Sequence, residues 1–287
     1  MPMVEIEPSA AERSHSALTT ENLRKAVDAV RTDGFVVLKD VVDPDHIDIL
    51  RERVLQDVDR FVNRPDAPFN WNRGNVQQDP PPFPPFLFRD VLANEFAIQV
   101  SHQLLGDGFY NAFYSGNTAM PSDQRQPVHA DLGHLWPGLD AAHPAYALVV
   151  NLPLVDMGPE NGSTEIWPGS HLETSVDIQS GEIKVTHDSL EARRLISPPV
   201  QPIVSAGSFL IRDMRLWHAG MPNHSSQPRP MLAMIHYISW WPSPKFLLHP
   251  DAEELLKHPV LRQHADYSSP EIDYTAAGSA HEFVDSK

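Results

Sequence analysis

The chain has no cysteine in 287 residues. A disulfide framework, a thiolate zinc site, an iron–sulfur cluster and a cysteine nucleophile are therefore excluded together, and any bound metal must be held by nitrogen and oxygen. Basic charge is scarce as well: 22 Lys and Arg stand against 38 Asp and Glu, a net charge of −16. That leaves no basic footprint with which to neutralise phosphates, so neither nucleic acid nor an anionic membrane is an expected partner. Long apolar runs are missing too. None approaches the ~20 residues that span a bilayer, and no charged-then-apolar signal segment opens the chain. Its last residues, Val284-Asp285-Ser286-Lys287, lack the peroxisomal tripeptide. The expectation is a cytoplasmic protein, a monomer or homodimer.

What is present suffices for a sizeable core, since 41% of the residues are apolar. Residues 1–18 are polar and patternless, and the expectation there is disorder. From Thr20, Leu23, Ala26, Val27 and Val30 recur at helical spacing until Gly34. Phe35 to Leu38 reads as a buried strand. Asp43-Pro44 supplies an N-cap and an N1 proline to a second helix with an apolar stripe of Ile47, Leu50, Val54, Val58 and Phe61. The stretch from Asn63 to Phe88 holds five prolines between Pro80 and Pro85 and reads as neither helix nor central strand. A third helix is expected from Asp90 to Leu105, ending at Gly106.

Beyond Phe109 the pattern changes to short β-type runs at 109–114, 146–155, 163–167, 200–204, 208–217 and 231–241. No Gly/Ser-rich joint separates the helical and β halves. The reading is one domain over 1–287: a helical N-terminal part (19–106), an all-β sandwich or barrel (107–241) with helices outside it, and a C-terminal extension (242–287). Within that extension, Asp251 to His258 is expected to be a short helix, serving as a lid or as packing.

The chemistry concentrates in "PVHADLGH", residues 127–134. On a strand, i and i+2 share a face about 6.5 to 7 Å apart, so His129 and Asp131 converge while Ala130 turns away. Pro127, Gly133, Pro137 and Gly138 argue against a helix here. A His-x-Asp pair arises easily by chance in a chain with 15 histidines, so a third ligand is needed. The best candidate is His218, at the end of an apolar run before a Gly/Pro/Asn turn. Two histidines and one carboxylate with open positions suit a non-haem Fe(II) oxygenase. Arg229 follows eleven residues later, and a guanidinium in an otherwise apolar site demands an acidic partner or ligand.

Four pieces now match in order. "DGFVVLKDVVDPDHIDILRERV" (33–54), "QPVHADLGHLWPG" (126–138), "ENGSTEIWPGSH" (160–171) and "RLWHAGMPNHSSQPRP" (215–230) resemble the phytanoyl-CoA dioxygenase family of Fe(II)- and 2-oxoglutarate-dependent oxygenases. The resemblance implies a mainly β chain with flanking helices around a double-stranded β-helix, the cupin-like jelly roll, with iron at its open end. It implies His129, Asp131 and His218 as iron ligands and Arg229 as the partner of the distal carboxylate of 2-oxoglutarate. Thr164 and Gln126 fall where relatives place polar contacts to that cosubstrate, and Asn151 stands where relatives often carry Trp. The implied reaction consumes 2-oxoglutarate and O2, releases succinate and CO2, and hydroxylates, desaturates or cyclises at a C–H bond. Halogenating relatives lack the ligand carboxylate, so Asp131 argues against halogenation. The expected substrate is a small, mostly apolar organic molecule of specialised metabolism.

Other residues receive plainer readings. His134 is expected beside the site or facing solvent, His171 in a turn, His224 in a solvated loop, and His236 as a satisfied structural histidine. Trp71 and Trp136 are expected in loops beside the mouth, the remaining tryptophans in the core. Two rival functions stand: a jelly-roll binding protein without turnover, and a zinc hydrolase on the same three ligands, which leaves Arg229 without a purpose.

Overall fold

The computed structural model describes residues 3–268, 272–278 and 280. The tail 284–287, including its missing peroxisomal tripeptide, lies outside the described residues, as does the end of the expected 242–287 extension.

Seven α-helices are described: α1 (Ala10–His15), α2 (Thr20–Thr32), α3 (Pro44–Val62), α4 (Arg89–Leu92), α5 (Glu95–Leu105), α6 (His187–Ile196) and α7 (Asp251–Leu255). The first strands are β1 (Glu5–Ile6), β2 (Phe35–Leu38), β3 (Asn75–Gln77) and β4 (Tyr110–Ala119). They are followed by β5 (Ala147–Pro153), β6 (Glu165–Ile166), β7 (Phe209–Asp213), β8 (His218–Ala219) and β9 (Arg229–Tyr237). The C-terminal strands are β10 (Phe246–Leu248), β11 (Arg262–Gln263) and β12 (Ala265–Tyr267).

One large sheet runs in the order β1-β2-β7-β5-β9-β4-β11, with β3 added to β4. A second, short-stranded layer is built on the β6–β8 pair. Single bridges extend it, His129 to His218 and to Lys184 on one side, Ile166 to Val200 on the other. From β4 onward the chain passes from one layer to the other: β4, then His129, then β5, β6, Val200, β7, β8 and β9. This is the double-stranded β-helix, and its two layers do not close into a barrel.

Strand alternation gives the large sheet two faces of different character. Leu148, Val150 and Leu152 of β5, Phe209 and Ile211 of β7, and Leu232 and Met234 of β9 join the main core. There they meet Ala26, Ala29 and Val30 of α2, Leu50 and Val54 of α3, and Phe96 and Val100 of α5. Their neighbours Val149, Asn151, Arg212, Ala233 and Ile235 face the opposite way and line a cavity. The helical layer thus stiffens the outside of the sheet that carries the cavity wall on its inside. Truncating a buried member of this core, such as the fully buried Leu148, costs about 2–5 kcal/mol in comparable cores.

The N-cap expected at Asp43 is formed, and α2 gains one at Thr19. Thr19 accepts from Asn22 N at the start of α2, and Asp43 accepts from Asp45 N ahead of Pro44 in α3. Two expectations change, one helix is added and one open alternative is resolved. The helix expected from Asp90 to Leu105 is split, because the Asn94 side chain accepts from Phe96 N and Ala97 N and restarts the helix as α5. The run 208–217 breaks after β7, where the Asp213 carboxylate accepts from Arg215 N at 2.9 Å and folds a turn before β8. The helix α6 goes unpredicted, having no buried residue. Between lid and packing, α7 is packing, since Ala252 and Leu256 are buried in the main core.

The expected disorder of residues 1–18 is also corrected over their described part. β1 pairs in parallel with β2, and α1 opens with a reciprocal capping box between Ser9 and Glu12. Glu12 accepts from Ser9 N at 2.8 Å, Thr19 N at 2.7 Å and Asn22 Nδ2 at 2.9 Å, fastening the segment to the start of α2. Burial pushes the Glu12 carboxyl up, but these donors outweigh it and hold it at about 2. A depressed folded pKa stabilises above the unfolded value and is lost as pH falls through the folded one. Glu12→Gln should therefore lower the thermal midpoint at pH 7, with the deficit closing as pH drops from 4.5 towards about 2. A deficit in the melting curves that ignores pH would contradict this role of the charge.

Candidate metal centre

His129 and His218 lie directly opposite each other and exchange both backbone bonds: His129 N donates to His218 O at 3.0 Å, and His218 N to His129 O at 2.9 Å. Such a pair turns both side chains to the same face, and the two imidazoles stand 4.4 Å apart between centroids. Asp131, two residues after His129, follows on that side. Its Oδ1 is 3.4 Å from His218 Nε2 and 3.9 Å from His129 Nε2. All three ligand atoms fall within 4.8 Å of one another, the only such cluster among the described residues.

Each imidazole is held from behind by the carbonyl two residues earlier. His129 Nδ1–H donates to Pro127 O and His218 Nδ1–H to Leu216 O, both at 2.9 Å. That fixes the tautomer and leaves the Nε2 lone pairs free for an ion. Burial, together with the neighbouring His218, pushes His129 down to about 3, so it is neutral. Burial pushes Asp131 up, yet Arg212 and the histidines outweigh this and hold its carboxyl well below the usual carboxylate range. Two imidazole nitrogens and one carboxylate oxygen on one side of a point, without sulfur, form the donor set that suits Fe(II).

The triad lines a cavity of about 420 Å³, and every site residue read from the sequence lies on its wall: Arg229, Thr164 and Gln126 as well as the three ligands. Arg229 is 2% exposed. Its Nη2 donates to Gly162 O at 2.7 Å, while Nε and Nη1 have no partner. Burial lowers its pKa only to about 10, so the guanidinium stays charged. A buried cation with two idle donors fits a carboxylate ligand. Gly162 adopts φ +77°, and a Cβ there would lie 2.6 Å from Met221 O, so only glycine can present this carbonyl. Gln126 is more occupied, its Oε1 accepting from Gly220 N at 2.7 Å. That bond ties the strand of the first ligand to the turn after the last.

Two residues of the site escape a reading by motif. Arg212 Nη2 donates to Asp131 Oδ2 at 2.6 Å, and its Nε donates to Asn151 Oδ1 at 3.2 Å. The available signal is an arginine inside the apolar strand "FLIRD", which must find a partner. Asn151, left without a role by the sequence, is that arginine's brace. Trp71, expected at the mouth, is instead buried with its ring 5.1 Å from that of His129. Trp136 is 54% exposed beside His143.

Of the other histidines, His134 does not face solvent. It is buried, with Nε2 donating to Glu173 O at 3.1 Å, and lies outside the triad. His236 sits on the helix side of β9 against Ser101 Oγ at 2.8 Å. His224 is exposed near Asp123, and His171 contacts Arg31 O from its 3₁₀ turn.

Comparison with known proteins bears on the family and the fold. The family model described as Phytanoyl-CoA dioxygenase (PhyH) matches residues 30–231. "Dioxygenase af480" of Aspergillus fumigatus is 27% identical over 155 residues, 52% of this chain and 44% of that protein. "Dioxygenase andF" of Emericella variicolor is 22% identical over 145 residues, 49% of this chain and 46% of that protein. The chain thus spans less than half the length of these curated relatives. Among solved structures, AviO1 from Streptomyces viridochromogenes Tue57 superposes with a TM-score of 0.58 at 24% identity, covering 79% of this chain and 99% of that one. The non-heme alpha ketoglutarate dependent carbocyclase SnoK from nogalamycin biosynthesis gives a TM-score of 0.55 at 20% identity, over 80% and 86%. At these identities the structural likeness is one of fold.

A direct check of the donor set uses Co(II) as a coloured probe. The chain should bind one equivalent, and Asp131→Ala or His218→Ala should weaken binding by more than the roughly 10–100-fold that loss of an outer partner costs. The exposed His224→Ala should leave the titration unchanged. Undiminished Co(II) affinity in both ligand variants would remove the triad from consideration.

Proposed function

The chain belongs to the phytanoyl-CoA dioxygenase family, and from that premise we propose that it is an Fe(II)- and 2-oxoglutarate-dependent dioxygenase. The proposed reaction oxidises an unactivated C–H bond of a small, mostly apolar organic substrate of specialised metabolism, by hydroxylation or by desaturation or cyclisation. The observation that carries the reading is Arg229: a buried guanidinium with two idle donors on the same cavity wall as a two-histidine, one-carboxylate triad.

In this reading His129, Asp131 and His218 hold the iron, and Arg229 grips the distal carboxylate of 2-oxoglutarate, with Thr164 and Gln126 offering polar contacts beside it. Iron held there would supply, together with 2-oxoglutarate and O2, the oxidising power, with succinate and CO2 as by-products. The protein's own work is positioning and exclusion of water. Asp131 offers the metal one oxygen, since the other is engaged by Arg212. Phe113, Val149, Met231 and Ile235 give the cavity an apolar wall suited to a hydrocarbon body. Tyr237, pushed up to about 12 by burial and the Asp131 charge, stays a neutral O–H donor on that wall.

A zinc hydrolase gives Arg229 nothing to hold, and a binding protein without turnover would be favoured by altered ligands, whereas His129, Asp131, His218 and Arg229 are all present. No helix among the described residues is long and apolar enough to cross a membrane. A cytoplasmic monomer or homodimer acting on a small molecule, without nucleic acid or membrane partners, belongs to the same proposal.

Anaerobic addition of Fe(II) and 2-oxoglutarate should produce a visible metal-to-ligand charge-transfer band, and O2 should then yield succinate. Arg229→Met should weaken 2-oxoglutarate binding by about 30-fold or more, the cost of removing one partner of a buried charge pair. Folded, iron-loaded protein that develops no band would overturn the proposal.

A further inference from the structure

Arg212 is a second buried guanidinium on the cavity wall, 6% exposed, and the triad alone does not use it up. Nε is spent on Asn151 and Nη2 on Asp131, but Nη1 has no partner. Asn151 holds one edge of the group, so Arg212 is not free to swing towards another acceptor. The charged side chains lining the cavity are Asp131, Arg212 and Arg229. Under the oxygenase reading, on which this inference rests, a divalent ion and two guanidiniums face one carboxylate and dianionic 2-oxoglutarate. One positive charge is left over. In a buried site an uncompensated charge is costly, and the remaining polar lining consists of neutral groups such as Asn70, Asn75, Gln77 and Asn117. The chain as a whole carries −16, so the local excess is a property of this wall and not of the surface.

We infer that the organic substrate enters as an anion and presents an oxyanion, a carboxylate or the conjugate base of an acidic enol or phenol, to Nη1 of Arg212. Its body lies along the apolar wall, so the molecule is an organic acid with one charged end. The same donor is chemically suited to the keto-acid end of 2-oxoglutarate, and a test must separate the two sources.

The protein is loaded with Co(II) and saturated with N-oxalylglycine, an unreactive analogue of 2-oxoglutarate, and benzoate and benzamide are titrated by calorimetry. Benzoate should bind at least about tenfold tighter than benzamide, as a charge-assisted bond requires. With each variant resaturated with Co(II) and N-oxalylglycine, because loss of the Asp131 partner costs metal affinity, Arg212→Met should abolish that preference and Arg212→Lys should keep part of it. Equal affinity for acid and amide in the parent chain would overturn the inference without need of any variant. So would a preference that survives in Arg212→Met. Loss of N-oxalylglycine binding in Arg212→Met with the preference intact would assign the guanidinium to the cosubstrate instead. Failure of the parent chain to bind N-oxalylglycine at all would overturn the oxygenase reading, a different result from equal binding of acid and amide.

Discussion

The site depends on one pair of reciprocal backbone bonds, those between His129 and His218. They join segments 89 positions apart in the chain. A slip of one residue in this short pairing would send one imidazole to the opposite face and dissolve the triad. Several local features hold the register: the i−2 carbonyl behind each imidazole, and the Gln126 side chain bonded to Gly220 N across the same pair of strands. None of these is strong alone, and together they leave a single arrangement in which three ligand atoms meet.

The large sheet solves a second problem, that of building a polar cavity within an apolar fold. Apart from His236, which meets Ser101, the helix-facing residues of β5, β7 and β9 are apolar and bury against α2, α3 and α5, whereas the inner positions are allowed Asn151, Arg212 and Arg229. Because adjacent residues on a strand serve different faces, polar groups enter the cavity without disturbing the core one residue away. The cost of burying two guanidiniums is met locally by Asp131, Asn151 and the Gly162 carbonyl, and otherwise awaits ligands.

Much of this was legible beforehand, for physical reasons. Short β-type runs bounded by Gly, Pro, Asn and Asp announced β4, β5, β7 and β9, and the apolar stripes of α2 and α3 announced those helices, because a buried helix face leaves a periodic trace. The i, i+2 rule paired His129 with Asp131, and a lone buried arginine pointed to a ligand for Arg229. The jelly-roll topology came from resemblance, since no periodicity says which strands are neighbours. Arg212 and Asn151 were missed because their significance lies in a contact between β5 and β7, with Asp131 reaching them from a third segment. The split before α5 turns on a side-chain cap at Asn94 inside an otherwise helical pattern, and α6 buries no residue that would have marked it. Burial of His134 was invisible for a similar reason: its partner, the carbonyl of Glu173, is 39 residues away.

The pairing of His129 with His218 is made entirely of main-chain atoms, and so is the support behind each ring. The bonds that pair the two strands therefore require no histidine at either position, while the imidazoles and the Gln126 side chain add to the register. Exchange of a ligand would alter what the centre holds without undoing the strands that hold it.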